Sequence, residues 1–259
     1  MVREARCRQT GAARVIRAPS ARPTEYHLRV IAVVAHPHEA ELYCGGTLAR
    51  YLTAGDSIAI ACVTSGNLSD PEADLEILEE TRRTEAEKAA ALLSARFHWL
   101  GQSDHFATAD AVTVMQLVAV FREFQPDVVL THAPGALTPD HDAVAQAAVR
   151  AGQDAAQPGI EPDMPALGQA PIFFTMDGPP GTVPEPTEFV DITAQGDIKR
   201  QALECYATLP AMRATGAENL VETMRVMARY RGMQAGVEFA EGFRPIATAR
   251  PPGARHWLP

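Results

Sequence analysis

Between Arg29 and Ala35 the chain reads RVIAVVA, an unbroken apolar run rich in β-branched residues. Such a run predicts a strand buried on both faces, as in a parallel sheet. Residues 40–54 then take on helical composition and stop at Gly55, a natural C-terminal breaker. Ser57–Val63 (SIAIACV) predicts a second buried strand, followed by the polar loop TSGNLSDPEAD and a long charged helix from Leu75 to Leu93. The pattern continues with a short strand at Phe97–Leu100, closing on Gly101, and a helix at Val112–Phe124. A strand at Asp127–Thr131 (DVVLT), an Ala-rich helix at 140–155 and a strand at Ile172–Thr175 (IFFT) follow. Residues 157–187 are dense in Pro and Gly and read mainly as loop, helices are expected near 195–208 and 217–231, and the terminal RPPGARHWLP reads as irregular. Strand and helix alternating at this spacing imply parallel βαβ units. The expected class is therefore α/β: a doubly wound, mainly parallel sheet with helices on both faces.

At 259 residues the chain can bury one substantial core, so a single domain over 28–259 is expected, preceded by an extension over 1–27. That extension carries Arg3, Arg6, Arg8, Arg14, Arg17 and Arg22 but no long apolar segment, which argues against a secretory signal. The net charge, 23 − 32 = −9, is the wrong sign for a nucleic-acid surface, and no apolar run is long enough to span a membrane. Cys7, Cys44, Cys62 and Cys205 are scattered without C-x-x-C spacing. They suggest neither a thiolate zinc site nor a disulfide framework, and fit a cytoplasmic setting. A small-molecule substrate is the expected partner, with homo-oligomerisation left open.

Chemistry concentrates where the first strand meets the first helix, in AHPHEAELYCGGTL from Ala35 to Leu48. Ligands of open α/β sheets bind beyond the carboxyl ends of strands. His36 and Glu39 lie three residues apart around that turn, and Thr138-Pro139-Asp140-His141-Asp142 occupies the equivalent place after DVVLT. Two imidazoles and a carboxylate, His36, His141 and Glu39, leave an open position of the kind catalytic zinc sites use. One divalent metal, zinc, is the expected cofactor.

The same segments resemble the PIG-L/LmbE-like zinc deacetylases. AHPHEAELYCGGTLA is similar to the family's A-H-P-D-D-x-E-x-x-x-G-G-T-L opening, RRTEAEKAAALLS at 82–94 to its R-x-x-E helix, and LGQSD at 100–104 to its L-G-x-x-D strand end. FQPDVVLTHAP with TPDH resembles P-D-V-V-x-T-H and H-P-D-H, and FVDIT and GVEFAEGFR resemble later landmarks, so the likeness runs in order over roughly 28–247. It implies a Rossmann-like fold, His36 and His141 as histidine ligands, Glu39 in place of a ligand Asp, and Asp140 as an acid orienting a ligand imidazole.

Four positions depart from the family pattern. His38 stands where the family has its general-base Asp, and Thr138 where it has a histidine that stabilises the tetrahedral oxyanion. Asn67 replaces a frequent Glu, and Tyr206-Ala207-Thr208-Leu209 replaces H-x-S-Q. His38 retains a group able to accept a proton, whereas Thr138 offers one neutral donor. Losing a donor at that place costs on the order of 10²-fold in rate. The sequence therefore leaves three readings open: an amide hydrolase using His38, a metal-dependent hydratase or lyase acting on an unsaturated small acid, and a non-catalytic relative. Arg82 and Asp104 are candidates for substrate binding, His132 reads as structural, and Gly45 and Gly46 as close-packing positions rather than a phosphate cradle.

Overall fold

The computed structural model describes residues 14–16, 27–136, 138–161, 163–178, 182–248 and 257–259. In chain order its elements are β1 (Arg14–Ile16), β2 (Arg29–Val34), α1 (Glu39–Thr53), β3 (Ser57–Thr64), α2 (Leu75–Leu92) and β4 (Arg96–Gln102). There follow α3 (Ala111–Phe124), β5 (Val128–Thr131), α4 (Pro139–Asp154), β6 (Ile172–Met176) and β7 (Glu188–Asp191). The last are α5 (Gly196–Glu204), the single turn α6 (Pro210–Arg213), α7 (Leu220–Ala235) and β8 (Ala240–Pro245). The strands form one sheet in the order β1-β7-β8-β6-β5-β2-β3-β4, parallel except for β8, which runs against both β6 and β7.

Strand period two divides the core between the faces. Val30, Ala32 and Val34 of β2 pack with α1, α2, α5 and α7, while Ile31 and Val33 pack with α3 and α4. Both faces of the strand are apolar because both are covered, which is the reason for the unbroken run in the sequence. Helix starts follow local capping chemistry: the Asp74 carboxylate accepts from the N–H groups of Glu76 and Ile77, and Asp110 from that of Thr113.

Three strands depart from the sequence-based expectation. β7 is only EFVD, and β8 is AEGFRP, whose central Glu and Gly break any apolar alternation. β1 lies within the expected extension and pairs in parallel with β7. The rest of that extension up to residue 26, Cys7 included, lies outside the described residues, as does 249–256 of the expected irregular tail. The tail's last residues are packed: Trp257 and Leu258 are buried, and the Tyr51 hydroxyl donates to the Trp257 carbonyl at 2.7 Å.

Glu241 of β8 is buried because it binds α1. Its carboxylate accepts the N–H groups of Gly46 at 2.9 Å and Thr47 at 2.7 Å, and Lys199 of α5 completes the pair at 2.5 Å. Gly46 also lets the segment after β7 lie against α1, since a Cβ there would fall 2.8 Å from Ile192 Cβ. Lys199→Met strands the buried Glu241 charge and is expected to destabilise the fold by about 3–5 kcal/mol. Urea unfolding should show a lower midpoint at unchanged slope. Adding Glu241→Gln should restore part of the loss. An unchanged midpoint in the single variant would show that the pair does not anchor α1.

Candidate metal centre

The sheet reverses its winding between β2 and β5. From β2 the chain proceeds outward through β3 and β4, then returns to place β5 on the other side of β2 and continues to β6. The crevice past the carboxyl ends of β2 and β5 is thus a topological switch point, where α/β sheets bind ligands. α1 leaves it on one face and α4 on the other.

After β2 the backbone turns sharply. His38 adopts φ 91°, a left-handed conformation uncommon for a residue with a side chain, and Glu39 begins α1 directly behind it. The turn folds Glu39 back, so that its Oε2 accepts the His36 N–H at 2.7 Å and its Oε1 lies 3.1 Å from His36 Nδ1. Across the crevice, Thr138 is the N-cap of α4 and Pro139 starts the helix, which brings His141 Nε2 to 2.6 Å from the same Glu39 Oε1. One ligand atom from each of His36, Glu39 and His141 lies within 4.8 Å of the others.

The far side of His36 is held by two acids. Its Nε2 lies 2.9 Å from Asp104 Oδ1 and 3.2 Å from Asp140 Oδ2. Asp140 also accepts the N–H groups of His105 at 2.8 Å and Ala107 at 3.2 Å, tying the loop after β4 to the site. Asn67 accepts the Asp104 N–H at 3.2 Å, so the residue standing in place of a frequent family Glu supports the same loop. A carboxylate behind a ligand imidazole fixes its tautomer and orientation.

Charges at the centre are strongly coupled. Burial disfavours the His36 imidazolium, but the Glu39 charge and contacts with Asp104, Asp140 and Glu39 outweigh it and push the pKa up to about 12. Burial likewise works against the Glu39 carboxylate, yet the His36 charge, with His132 and His141, holds it well below the usual carboxylate range. His38 is pushed down to about 4, chiefly by burial, and stays a neutral imidazole near pH 7. Three carboxylates and three imidazoles converging at one buried point form a donor set of the kind that holds a divalent cation.

The other expected site residues fall as follows. Thr138 is exposed, makes no capping bond, and lines a cavity of about 100 Å³ together with Tyr43, His132, His141, Met176 and Asp177. The His38 ring lies edge-on to Tyr206 at 6.1 Å, and its Nδ1 is buried with no partner among the described residues. Asp104, expected to bind substrate, lies in a buried position with its carboxylate beside His36. Arg82 is the other substrate-binding candidate. It is fully buried, and its guanidinium is committed to Glu85 at 3.0 Å, Ser69 at 3.1 Å and Thr208. Thr208 also donates to Glu85, from both its N–H and its hydroxyl, and the Tyr206 hydroxyl donates to Glu41 at 3.2 Å. The YATL segment therefore serves as a buried strut beside the site.

His132 belongs to the centre, against the structural role expected for it. Its ring stacks on His141 at 4.1 Å and 2°, and its Nε2 lies 3.1 Å from Glu39 Oε2. Its place one residue past β5, beside β2, was the available signal.

Residues 31–152 match the family described as PIG-L: GlcNAc-PI de-N-acetylase. The chain is 27% identical over 236 residues to the 4-oxalmesaconate hydratase of Pseudomonas putida KT2440, covering 83% of this chain and 88% of that one. It is 31% identical over 176 residues to 1D-myo-inositol 2-acetamido-2-deoxy-alpha-D-glucopyranoside deacetylase 2 of Saccharopolyspora erythraea, covering 57% and 64%. In fold it is similar to the N,N'-diacetylchitobiose deacetylase of Pyrococcus horikoshii, with TM-score 0.75 at 22% identity over 86% of this chain and 85% of that one. Residues 31–152 thus match the PIG-L family, and over 86% of its length the chain shares the α/β fold of the Pyrococcus horikoshii deacetylase.

Proposed function

We propose that this protein is a metal-dependent hydrolase cleaving a small-molecule N-acyl amide, of the class for which its deacetylase relatives are named, through one zinc ion held by His36, Glu39 and His141. The reading takes 28–259 as one catalytic domain and a cytoplasmic setting. Among the described residues no helix is long and apolar enough to cross a membrane. The observation that carries the reading is the triad itself, with the rear nitrogen of one ligand imidazole already gripped by Asp104 and Asp140. When bound, zinc supplies Lewis acidity toward water and the amide carbonyl.

The chain's own residues do the remaining work. Asp104 and Asp140 hold the His36 Nε2 proton on the side away from Glu39, so that Nδ1, beside Glu39, is the nitrogen that would give up its proton to a bound cation. Thr138 offers its hydroxyl to the cavity beside His141. His38, next to Glu39, takes the position of the family's base and accepts the proton of the attacking water.

Purified protein should bind one zinc per chain by elemental analysis, and His141→Ala should lose it while keeping its circular dichroism. Asp104→Asn should weaken zinc affinity by about 10–100-fold in a chelator competition. Full zinc binding by His141→Ala rejects the assignment of the centre.

A second reading, a metal-dependent hydratase of an unsaturated acid, is favoured by two observations: the base position holds His38, and a hydratase matches 83% of the chain. The two readings separate on His38→Asp. A hydrolase should keep or gain amide cleavage in this variant and lose turnover sharply in His38→Ala. A hydratase should consume an unsaturated acid and cleave no amide in either form.

A further inference from the structure

We infer that His132 is a catalytic hydrogen-bond donor, held in the neutral tautomer that carries its proton on Nδ1 and presents it to the amide oxygen of the substrate. This deepens the hydrolase reading above and rests on it.

The tautomer is set by the backbone. Ala35 is fully buried just past β2, and its N–H donates to His132 Nε2 at 2.9 Å. A buried backbone N–H needs an acceptor, and a ring nitrogen that accepts carries no proton. The proton of the neutral ring therefore sits on Nδ1. Glu39 Oε2 approaches the same Nε2 at 3.1 Å, but one ring nitrogen cannot both donate to that oxygen and accept from the Ala35 N–H. Placing a proton on Nε2 would orphan the Ala35 N–H in the core.

No hydrogen bond to Nδ1 is formed among the described residues, since the polar contacts of the ring run through Nε2, and its proton is left for a bound molecule. The residue lines the cavity that also holds Thr138 and His141, and the parallel stack on His141 fixes the plane of its ring beside a proposed ligand. The amide oxygen gains negative charge as its carbonyl carbon becomes tetrahedral, and a preorganised N–H at that point lowers the barrier. Because Thr138 stands where the family has a histidine, this N–H supplies a donor that the altered motif lacks.

The test uses the zinc-loaded protein. Long-range ¹⁵N–¹H correlation spectra of the histidine rings should show His132 protonated on Nδ1 and not on Nε2. Titration with acetate, a carboxylate probe of the oxygen site, should move the Nδ1 proton resonance. His132→Gln carries its amide near the Nε2 position, and His132→Asn near the Nδ1 position. The Gln variant should keep zinc affinity and lose about 10²-fold in kcat with little change in KM, and the Asn variant should recover most of that loss. A proton on Nε2, an Nδ1 resonance indifferent to acetate, or wild-type kcat in His132→Gln overturns the inference. The tautomer and the acetate response are read without turnover. Absence of amide cleavage with both intact would therefore fault the hydrolase reading and leave the donor standing.

Discussion

The Glu39 carboxylate is the point on which the site closes. One oxygen binds the His36 N–H and the other lies against both His36 and His141. A single side chain therefore fixes the end of β2, the start of α1 and the start of α4. The grip depends on the left-handed backbone at His38, because with ordinary dihedrals α1 would start on another heading and Glu39 would leave the crevice. Strain of this kind persists only where the surroundings over-determine it. Here the surroundings are α1 itself, pinned from behind by Glu241 and Lys199.

Rigidity at the centre thus comes from two buried charge clusters at successive points along one helix. At its N-terminus the acids outnumber permanent cations, and His36 carries the balancing proton. Deeper along α1, Glu241 meets Lys199 and two backbone donors, so that charge is compensated within the protein. The first cluster keeps an excess that a metal can satisfy. The second has none to spare, and it anchors the helix.

Most of the parallel half of the fold was legible in the sequence, because strands covered on both faces leave long apolar runs and their helices carry ordinary punctuation. β7 and β8 were not. Their buried positions include Glu241 and Gly242, a charge and a glycine that become tolerable only once Lys199 and the α1 backbone are in place. The grouping of His36, Glu39 and His141 was legible from residue types at adjacent strand ends. The rear contacts of His36 were not, since Asp104 reaches it from the loop after β4, and no local spacing encodes that meeting. The surroundings of Arg82 were hidden for a related reason: Ser69 and Thr208, which enclose it together with Glu85, come from distant parts of the chain.

The altered family positions share a physical theme. His38 for an Asp removes a negative charge beside Glu39, and Thr138 for a His removes a group able to carry a positive one next to the cavity. The two changes offset each other in charge, so the electrostatic frame around His36, Glu39 and His141 survives both. What changes is the supply of protons. A carboxylate and an imidazole at these positions would make an acid–base pair flanking the crevice, whereas a neutral imidazole and a hydroxyl make a weaker one. Chemistry at such a centre must lean more on fixed, uncharged donors than on groups that exchange protons during turnover. The buried imidazole of His132, locked by a backbone N–H, is of that kind.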